Sequence, residues 1–316
     1  MIDLCTLGTG GSIPLHTRAL ASLYVRNGAR ALLVDCGEGT QVEIGRLGWG
    51  FLRIEALLLT HYHADHCSGL PGLLLALTKS GRTEPLHIWG PPDLRRVVTG
   101  LRVIAPQLGY EPVLHELPMT GGAFEAAGLR VRAFPLDHGM PCLGYRFELD
   151  RPREFLPEKA QALGIPPRCW SVLQRGEAAE ADGVRWKPEQ VLGPERRGLS
   201  FVYATDTRPA QTIVEAGRNT DLMILEGMYG DEEDFPKALK NRHMLSRESA
   251  ALAREAGTAR LLLTHFSTAV EDPETLLPPA RALFPETDCA FDGMTLTLGW
   301  TEKRMANGER KASPLI

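Results

Sequence analysis

The feature that most constrains this chain is the segment 61–66, which reads H-Y-H-A-D-H and holds four metal-binding side chains in six residues. It follows the apolar run 56–60, which predicts a short buried strand, and precedes the apolar run 70–77, which predicts a helix. The first two histidines lie on the same side of an extended chain, and the Asp-His pair follows where the chain turns. Imidazole and carboxylate groups suit zinc, iron or manganese. Two adjacent ligand pairs therefore indicate two metal ions, the alternative being a surface histidine cluster without metal.

One loop cannot complete two metal sites, so further ligands must come from elsewhere in the chain. The candidates are His138, Asp206 and His265, each of which follows an apolar run. The letters L-L-L-T-H at 57–61 also recur at 261–265. The recurrence is either a coincidence in a leucine-rich chain or the mark of two half-domains with a histidine at equivalent strand tips, where open α/β sheets bind their ligands.

Composition and charge exclude several classes of protein. The 316 residues are 43% hydrophobic and 23% charged, which is typical of a globular protein and excludes disordered, collagen-like and coiled-coil chains. The net charge of −4 means that any contact with nucleic acid must come from a local patch. Six dispersed cysteines without a C-x-x-C pair favour a reducing compartment. With no signal peptide and no membrane-spanning run, we expect a cytoplasmic protein.

Short apolar runs and turn signals predict an α/β protein in which residues 151–198 differ from the rest. Strands are predicted at 2–7, 22–26, 30–35, 56–60, 86–89, 129–134, 144–149, 199–205, 222–225 and 260–264, and helices at 70–77, 93–101 and 246–256. Residues 151–198 hold several prolines, many charges and little periodicity, which predicts an inserted arm on the core. The polar residues from Lys303 onward are expected to be frayed.

The order of these motifs resembles the metallo-β-lactamase fold and, within it, the ribonuclease Z family of tRNA 3′-end processing endonucleases. The matching stretches are L-G-T-G at 7–10, D-C-G-E-G-T-Q at 35–41, the segment 61–66, G-L-P-G at 69–72, H-G at 138–139, G-Y-R at 144–146, D-T-R at 206–208 and T-H at 264–265. The resemblance runs from residue 4 to about residue 295. It implies one αββα sandwich over residues 1–316, with the inserted arm within it and two zinc ions at the strand tips.

The resemblance also implies which residues hold which ion. One ion is assigned to His61, His63 and His138, the other to Asp65, His66 and His265, with Asp206 bridging the two. Asp35 is assigned to orient a ligand histidine, as such sites need. Zinc is the expected metal, with Mn²⁺ or Fe²⁺ as alternatives, because His/Asp sites accept all three.

For catalysis, the resemblance implies that Glu226 and His243 act together as a general acid, although Leu225 replaces the histidine that the family carries before the glutamate. A metal-activated hydroxide would attack the phosphodiester, with Asp65 accepting a proton from the water. The expected products are a tRNA 3′-hydroxyl and a 5′-phosphorylated trailer.

The inserted arm lies where ribonuclease Z carries its tRNA-binding exosite. Arg168 and Arg175 in the arm, and Arg18 in the loop after Pro14, are candidate substrate contacts. The arm holds nearly as many acids as bases, so a solvated loop of mixed charge is the alternative. A tRNA precursor is the expected partner, without DNA or membrane, and the resemblance implies a homodimer in which one subunit's arm serves the other's active site.

Two other functions compete with tRNA processing. The same scaffold could hydrolyse a small phosphodiester, sulfate ester, lactone or thioester, but such an enzyme has no need of a projecting arm. A metal-bound scaffold without catalysis is the third reading. Eroded ligands would mark it, whereas all seven candidate positions are intact.

Overall fold

The computed structural model describes residues 1–230 and 232–300, so the expectation for residues from Lys303 lies outside it. The strands are β1 (Ile2–Gly8), β2 (Ser22–Asn27), β3 (Arg30–Val34), β4 (Ile54–Leu58), β5 (Leu86–Gly90), β6 (Pro112–Glu116), β7 (Gly122–Ala126), β8 (Leu129–Pro135), β9 (Leu143–Arg151), β10 (Ala179–Ala181), β11 (Val184–Trp186), β12 (Arg196–Ala204), β13 (Leu222–Glu226), β14 (Leu261–Thr264), β15 (Thr287–Cys289) and β16 (Met294–Leu298). The helices are α1 (Thr40–Leu47), α2 (Ala64–Cys67), α3 (Leu70–Lys79), α4 (Leu94–Arg102), α5 (Pro157–Ala162), α6 (Pro167–Gln174), α7 (Gln211–Gly217), α8 (Phe235–Asn241), α9 (Ser246–Ala256) and α10 (Leu277–Arg281).

Within the described ranges, the first large sheet has the strand order β16-β1-β2-β3-β4-β5-β6. Its first half is antiparallel, and β2 and β3 form the hairpin that Asn27-Gly28 predicts, with Gly28 at a φ of 61°. From β3 onward the strands are parallel. The carboxyl ends of β3 and β4 therefore lie side by side at one edge of the sheet.

The second large sheet has the order β15-β14-β13-β12-β9-β8-β7 in the same described part of the chain. Strands β12 to β15 are parallel, whereas β7, β8 and β9 are antiparallel. The recurring Thr-His pair follows β4 in the first sheet and β14 in the second. Each sheet thus brings a histidine to the end of a parallel strand.

Helices cover one face of each sheet, and the other faces meet. Helices α1, α3 and α4 pack on the first sheet around fully buried residues such as Leu57 and Leu74, each of which contributes about 2 kcal/mol of burial free energy. Helices α7, α9 and α10 pack on the second sheet. Tyr145 of β9 donates a hydrogen bond to the carbonyl of Leu59 at 2.6 Å, linking the two sheets. The layers are the αββα sandwich that the sequence predicts.

Residues 149–199 form a compact unit of their own. Helices α5 and α6 and the hairpin β10–β11 surround a small core that includes Ile165, Leu173 and Trp186. The hairpin turn is Asp182-Gly183, with both residues at positive φ, as a two-residue turn requires. In the part of the chain described, no helix is long and apolar enough to cross a membrane.

Candidate metal centre

The ends of five parallel strands position the site. Asp35 follows β3, His61 follows β4, Asp206 follows β12, Glu226 ends β13 and His265 follows β14. The side chains from the two sheets meet, since His61 Nε2 lies 3.8 Å from Asp206 Oδ1. Strand polarity thus explains how residues more than 100 positions apart in the sequence reach one place.

Three of these strand-end residues have a left-handed backbone. The φ angles are 59° for Asp35, 60° for Asp206 and 55° for His265. Such a conformation costs a residue other than glycine about 1–3 kcal/mol and is concentrated at functional sites. The same sharp turn ends the strand at each position, which places the side chain directly at the strand tip.

The first ligand cluster consists of His61, His63, His138 and Asp206. One ligand atom from each lies within 4.8 Å of every other. His61 Nε2 lies 3.0 Å from His63 Nδ1, and His63 Nδ1 lies 3.2 Å from His138 Nε2. The structure therefore brings His138 to the histidine-rich segment, although it lies 72 positions after His66 in the sequence.

The second ligand cluster consists of Asp65, His66 and His265, with ligand atoms again within 4.8 Å. His66 Nε2 lies 3.0 Å from His265 Nε2, and Asp65 Oδ2 lies 3.4 Å from His265 Nε2. Asp206 contacts this cluster too, because its Oδ2 lies 3.2 Å from His66 Nε2 and 3.3 Å from His265 Nε2. Asp206 thus faces the first cluster with one oxygen and the second with the other.

The donor atoms fit a divalent metal ion. Two atoms at about 2.0–2.1 Å from a tetrahedral zinc ion lie about 3.3–3.4 Å apart, close to the nitrogen separations in both clusters. Asp206 Oδ2 is buried and accepts no hydrogen bond in the described structure, although two imidazole nitrogens lie within 3.3 Å of it. A buried carboxylate oxygen without a partner is costly, and a cation offsets that cost. The clusters are therefore suited to hold a divalent metal.

Asp35 fixes the orientation of His66. Its carboxylate accepts hydrogen bonds from Thr60 N–H at 2.8 Å and Thr60 Oγ1 at 3.0 Å, and His66 Nδ1 lies 2.8 Å from its other oxygen. With Nδ1 engaged, Nε2 of His66 faces the second cluster. Burial by itself would lower the pKa of His66, but Asp206 and Asp35 raise this pKa well above its ordinary value. The site thus attracts positive charge at this position.

Glu226 and His243 form a hydrogen-bonded pair beside both clusters. His243 Nδ1 lies 2.9 Å from Glu226 Oε2, and Thr207 N–H donates to Glu226 Oε1 at 2.8 Å. The His243 ring lies 5.5 Å from that of His138 and 5.8 Å from that of His265. Burial lowers the pKa of His243, but Glu226 outweighs burial and the resulting pKa is about 9. The His243 ring is therefore protonated at neutral pH.

An ion pair between Arg208 and Glu248 holds the backbone of His243 in place. This pair was not identified from the sequence. The Arg208 guanidinium donates to the carbonyl oxygen of His243 and to both oxygens of Glu248. Glu248 also accepts from Leu245 N–H at 2.9 Å at the start of α9. Arg208 belongs to the D-T-R stretch at 206–208, and that match to the family was the one sequence signal that could have pointed to this residue.

The three arginines expected to contact substrate make contacts of other kinds. Arg18 is only 6% exposed and donates to the carbonyls of Ser267 at 3.1 Å and Val270 at 2.8 Å. In residues 149–199, Arg168 pairs with Asp182 at 3.0 Å and Arg175 with Glu177 at 3.2 Å, all exposed. Their role toward substrate stays a prediction.

Comparison with known proteins agrees with this geometry. The family described as the metallo-beta-lactamase superfamily matches residues 19–156. Ribonuclease Z of Lachnospira eligens is 42% identical over 303 residues, covering 96% of this chain and 100% of the relative. Ribonuclease Z of Lachnoclostridium phytofermentans is 41% identical over 298 residues, covering 94% and 98%. The crystal structure of human tRNase Z, short form, has a TM-score of 0.68 at 22% identity, covering 94% of this chain and 100% of that one.

Two stacked sheets with ligand side chains at their strand tips define the metallo-β-lactamase class of metal-dependent hydrolases. The full-length relatives narrow this class. The chain is 42% identical to the Lachnospira eligens ribonuclease Z over 96% of its own length, and it therefore belongs to the ribonuclease Z family. The resemblance seen in the sequence is confirmed.

Proposed function

We propose that this protein is a metal-dependent endoribonuclease that removes 3′ trailers from tRNA precursors. The observation that carries the proposal is the convergence of seven ligand-type side chains into two clusters that share Asp206. Membership of the ribonuclease Z family supports tRNA precursors as the substrate, because relatives that match nearly the whole chain carry that name.

We propose further that each subunit holds two Zn²⁺ ions, with Mn²⁺ or Fe²⁺ as alternatives. His61, His63 and His138 would hold one ion, Asp65, His66 and His265 the other, and Asp206 would bridge them. Bound divalent ions would supply Lewis-acid activation of the attacking water and would neutralise charge on the phosphate. Support comes from the two groups of facing donor atoms and from Asp206, whose two oxygens face one group each.

The protein's own residues would move the protons. Burial raises the pKa of Asp65, but His265 and His66 together lower it below its usual range, so the carboxylate is ionised at neutral pH. In that state it would accept a proton from the water as the new O–P bond forms. His243, charged through Glu226, would donate a proton to the departing 3′ oxygen as the P–O3′ bond breaks. The products are a tRNA 3′-hydroxyl and a trailer with a 5′-phosphate.

The substrate grip, assembly and location belong to the same proposal. Arg168 and Arg175 would contact the precursor from the exposed surface, and Arg18, which is only 6% exposed, would have to exchange its bonds to the carbonyls of Ser267 and Val270 to do so. Residues 151–198 would serve as the RNA-binding arm of the 1–316 domain, and two chains would form a homodimer. We propose a cytoplasmic location, since the six cysteines are free, buried thiols and suit a reducing compartment. Light scattering of the purified protein tests the dimer directly.

Mapping both product ends of a tRNA precursor tests the proposed reaction. Zinc-loaded protein is added to a precursor with a short 3′ trailer, with Asp65→Ala as the control for contaminating nuclease. A single cut at the discriminator base, absent with the variant, is the expected result. An intact precursor together with hydrolysis of a small phosphodiester would refute the proposal in favour of a small-molecule hydrolase.

A further inference from the structure

The glycine-rich turn after β1, residues 9–12, packs against the second ligand cluster. An added Cβ at Gly11 would lie 2.7 Å from His265 Cε1 and 2.9 Å from its Nε2. No side chain fits in that space, so glycine lets the turn approach the ligand histidine. The turn is thus one wall of the cluster, which spacing in the sequence did not reveal.

The residue after the turn donates a hydrogen bond to a ligand atom. Ser12 N–H lies 2.7 Å from Asp65 Oδ2, the oxygen that lies 3.4 Å from His265 Nε2 and 3.6 Å from His66 Nε2. Ser12 has a φ of 72°, in the left-handed region. Because a side chain disfavours this conformation, the surrounding structure must hold it in place. The direction of this N–H therefore depends on what fixes the turn.

A half-buried carboxylate, Asp292, fixes the turn from one side. Its Oδ1 accepts from Thr9 N–H at 2.9 Å and from Thr9 Oγ1 at 2.8 Å, and its Oδ2 accepts from Ala19 N–H at 2.5 Å. Charged acceptors make stronger hydrogen bonds than neutral ones. Three such hydrogen bonds converge on the Asp292 carboxylate.

The chain that follows His265 fixes the turn from the other side. Phe266 N–H donates to the Thr9 carbonyl at 2.8 Å, and Gly11 N–H donates to the Phe266 carbonyl at 3.0 Å. Asp292 therefore locks a segment that is bonded at one end to a neighbour of ligand His265 and contacts ligand Asp65 at the other.

We propose that Asp292 is a positioning residue for the metal centre. By holding Thr9 and Ala19 it keeps Ser12 N–H aimed at Asp65 and keeps the turn seated against His265. It acts through the backbone of residues 9–12, not by touching substrate. The inference rests on the proposed function for its kinetic consequence, whereas its effect on metal binding stands apart from the substrate.

Zinc affinity, measured by competition with a chromophoric chelator, tests this role. Asp292→Ala removes both acceptor oxygens and with them all three hydrogen bonds. We expect zinc bound by the second cluster to be held about tenfold or more weakly, as when other partners of metal ligands are removed. Asp292→Asn keeps one oxygen as an acceptor for Thr9, so its zinc affinity should fall less than that of Asp292→Ala. Thr9→Val removes only the hydrogen bond from Thr9 Oγ1, so its zinc affinity should fall least. This variant tests the proposal if Asp292→Ala fails to fold.

Kinetics on a tRNA precursor separate positioning from a general loss of stability. With zinc in excess, kcat of Asp292→Ala should fall at least tenfold while KM stays within about twofold. The matched control is Asp221→Asn, because Asp221 accepts a backbone hydrogen bond from Ser200 at 2.8 Å but precedes β13, at the end of the strand away from the clusters. This control should keep wild-type zinc affinity and kcat.

The outcomes distinguish the two proposals. One outcome is a lower Tm for the Asp292 variants together with the zinc affinity and kcat of the wild type at temperatures well below that Tm. In that case Asp292 is only structural and the inference is wrong. If the wild-type protein binds zinc but leaves the precursor intact, the proposed function fails. The order of zinc affinities then still decides whether Asp292 positions the ligands.

Discussion

Replacing Glu226 with glutamine should move the alkaline limit of activity to lower pH. Glu226 is fully buried and is the main group that raises the pKa of His243 to about 9 against the effect of burial. The difference from an ordinary imidazole pKa of about 6.5 corresponds to about 3.4 kcal/mol in favour of the charged form. A proton donor acts only while protonated, so wild-type activity should fall as the pH rises through the pKa of His243.

The size of the effect depends on pH. Without the Glu226 charge, the pKa of His243 should return to about 6.5, so its protonated fraction at about pH 8 falls from about 90% to about 3%. We therefore expect kcat of Glu226→Gln to fall about 30-fold at about pH 8 and less than about twofold at about pH 6. The assay is cleavage of an end-labelled tRNA precursor by metal-loaded protein from about pH 6 to 9.5, with metal content measured at each pH.

A comparison of the two pH profiles can refute this reasoning. Bound metal ions act on His243 in both proteins, so the displacement between the profiles is the informative quantity. Coincident alkaline limits, or the same fold loss at both pH values, would mean that Glu226 acts through geometry and not through its charge. Asp221→Asn, which lies away from the clusters, should give the wild-type profile.

Three further predictions concern the groups around the clusters. Asp35→Asn should weaken zinc binding about 10–100-fold because His66 loses its charged partner, and unchanged affinity in chelator competition would contradict this. Arg208→Ala should lower kcat about tenfold with zinc affinity unchanged, because the carbonyl of His243 and the carboxylate of Glu248 both lose the guanidinium that holds them, whereas no member of the clusters does; Arg208→Lys should recover part of the rate, and equal rates for both variants would argue against a specific contact. Chelation of bound metal should lower Tm by about 10 °C, since a ligand at about 1,000 times its Kd contributes about 4 kcal/mol, and an unchanged Tm in calorimetry would mean that the clusters bind no metal in the native protein.

The parts of the fold that the sequence predicts are those with strong local signals. The apolar runs that became β4 and β14 are fully buried over their last three residues, so their pattern left little choice of structure. The turn signal at Asn27-Gly28 likewise predicted the β2–β3 hairpin, although Asn27 pairs with Arg30 and the two loop residues are Gly28 and Ala29. Strand polarity then placed the residues after these strands at one edge, which is why His61 and His265 could be proposed as ligands before any contact was known.

Other elements lacked such signals. Strand β7, Gly122–Ala126, is an edge strand with alternating exposed residues and two small side chains at its ends, and its sequence gives no apolar run. Helices α5 and α6 are short and begin with proline, so their prolines resembled loop signals when they in fact occupy the first helical turn.

The supporting contacts of the site were beyond sequence reasoning for a different reason. Ser12 contributes a backbone N–H, which any residue except proline possesses, so its identity carries no signal. Asp292 lies 283 residues from Thr9, and the antiparallel pairing of β1 with β16 brings the two segments together. Long-range pairing of this kind is set by tertiary structure, not by local pattern.

Anomalous diffraction at the zinc edge tests the central claim, that the strand tips build a centre for two metal ions sharing Asp206. Crystals of the zinc-loaded protein should show two peaks per chain about 3.5–4 Å apart. One peak should lie among His61, His63 and His138 and the other among Asp65, His66 and His265. A single peak, or two peaks with Asp206 contacting only one of them, would contradict the account.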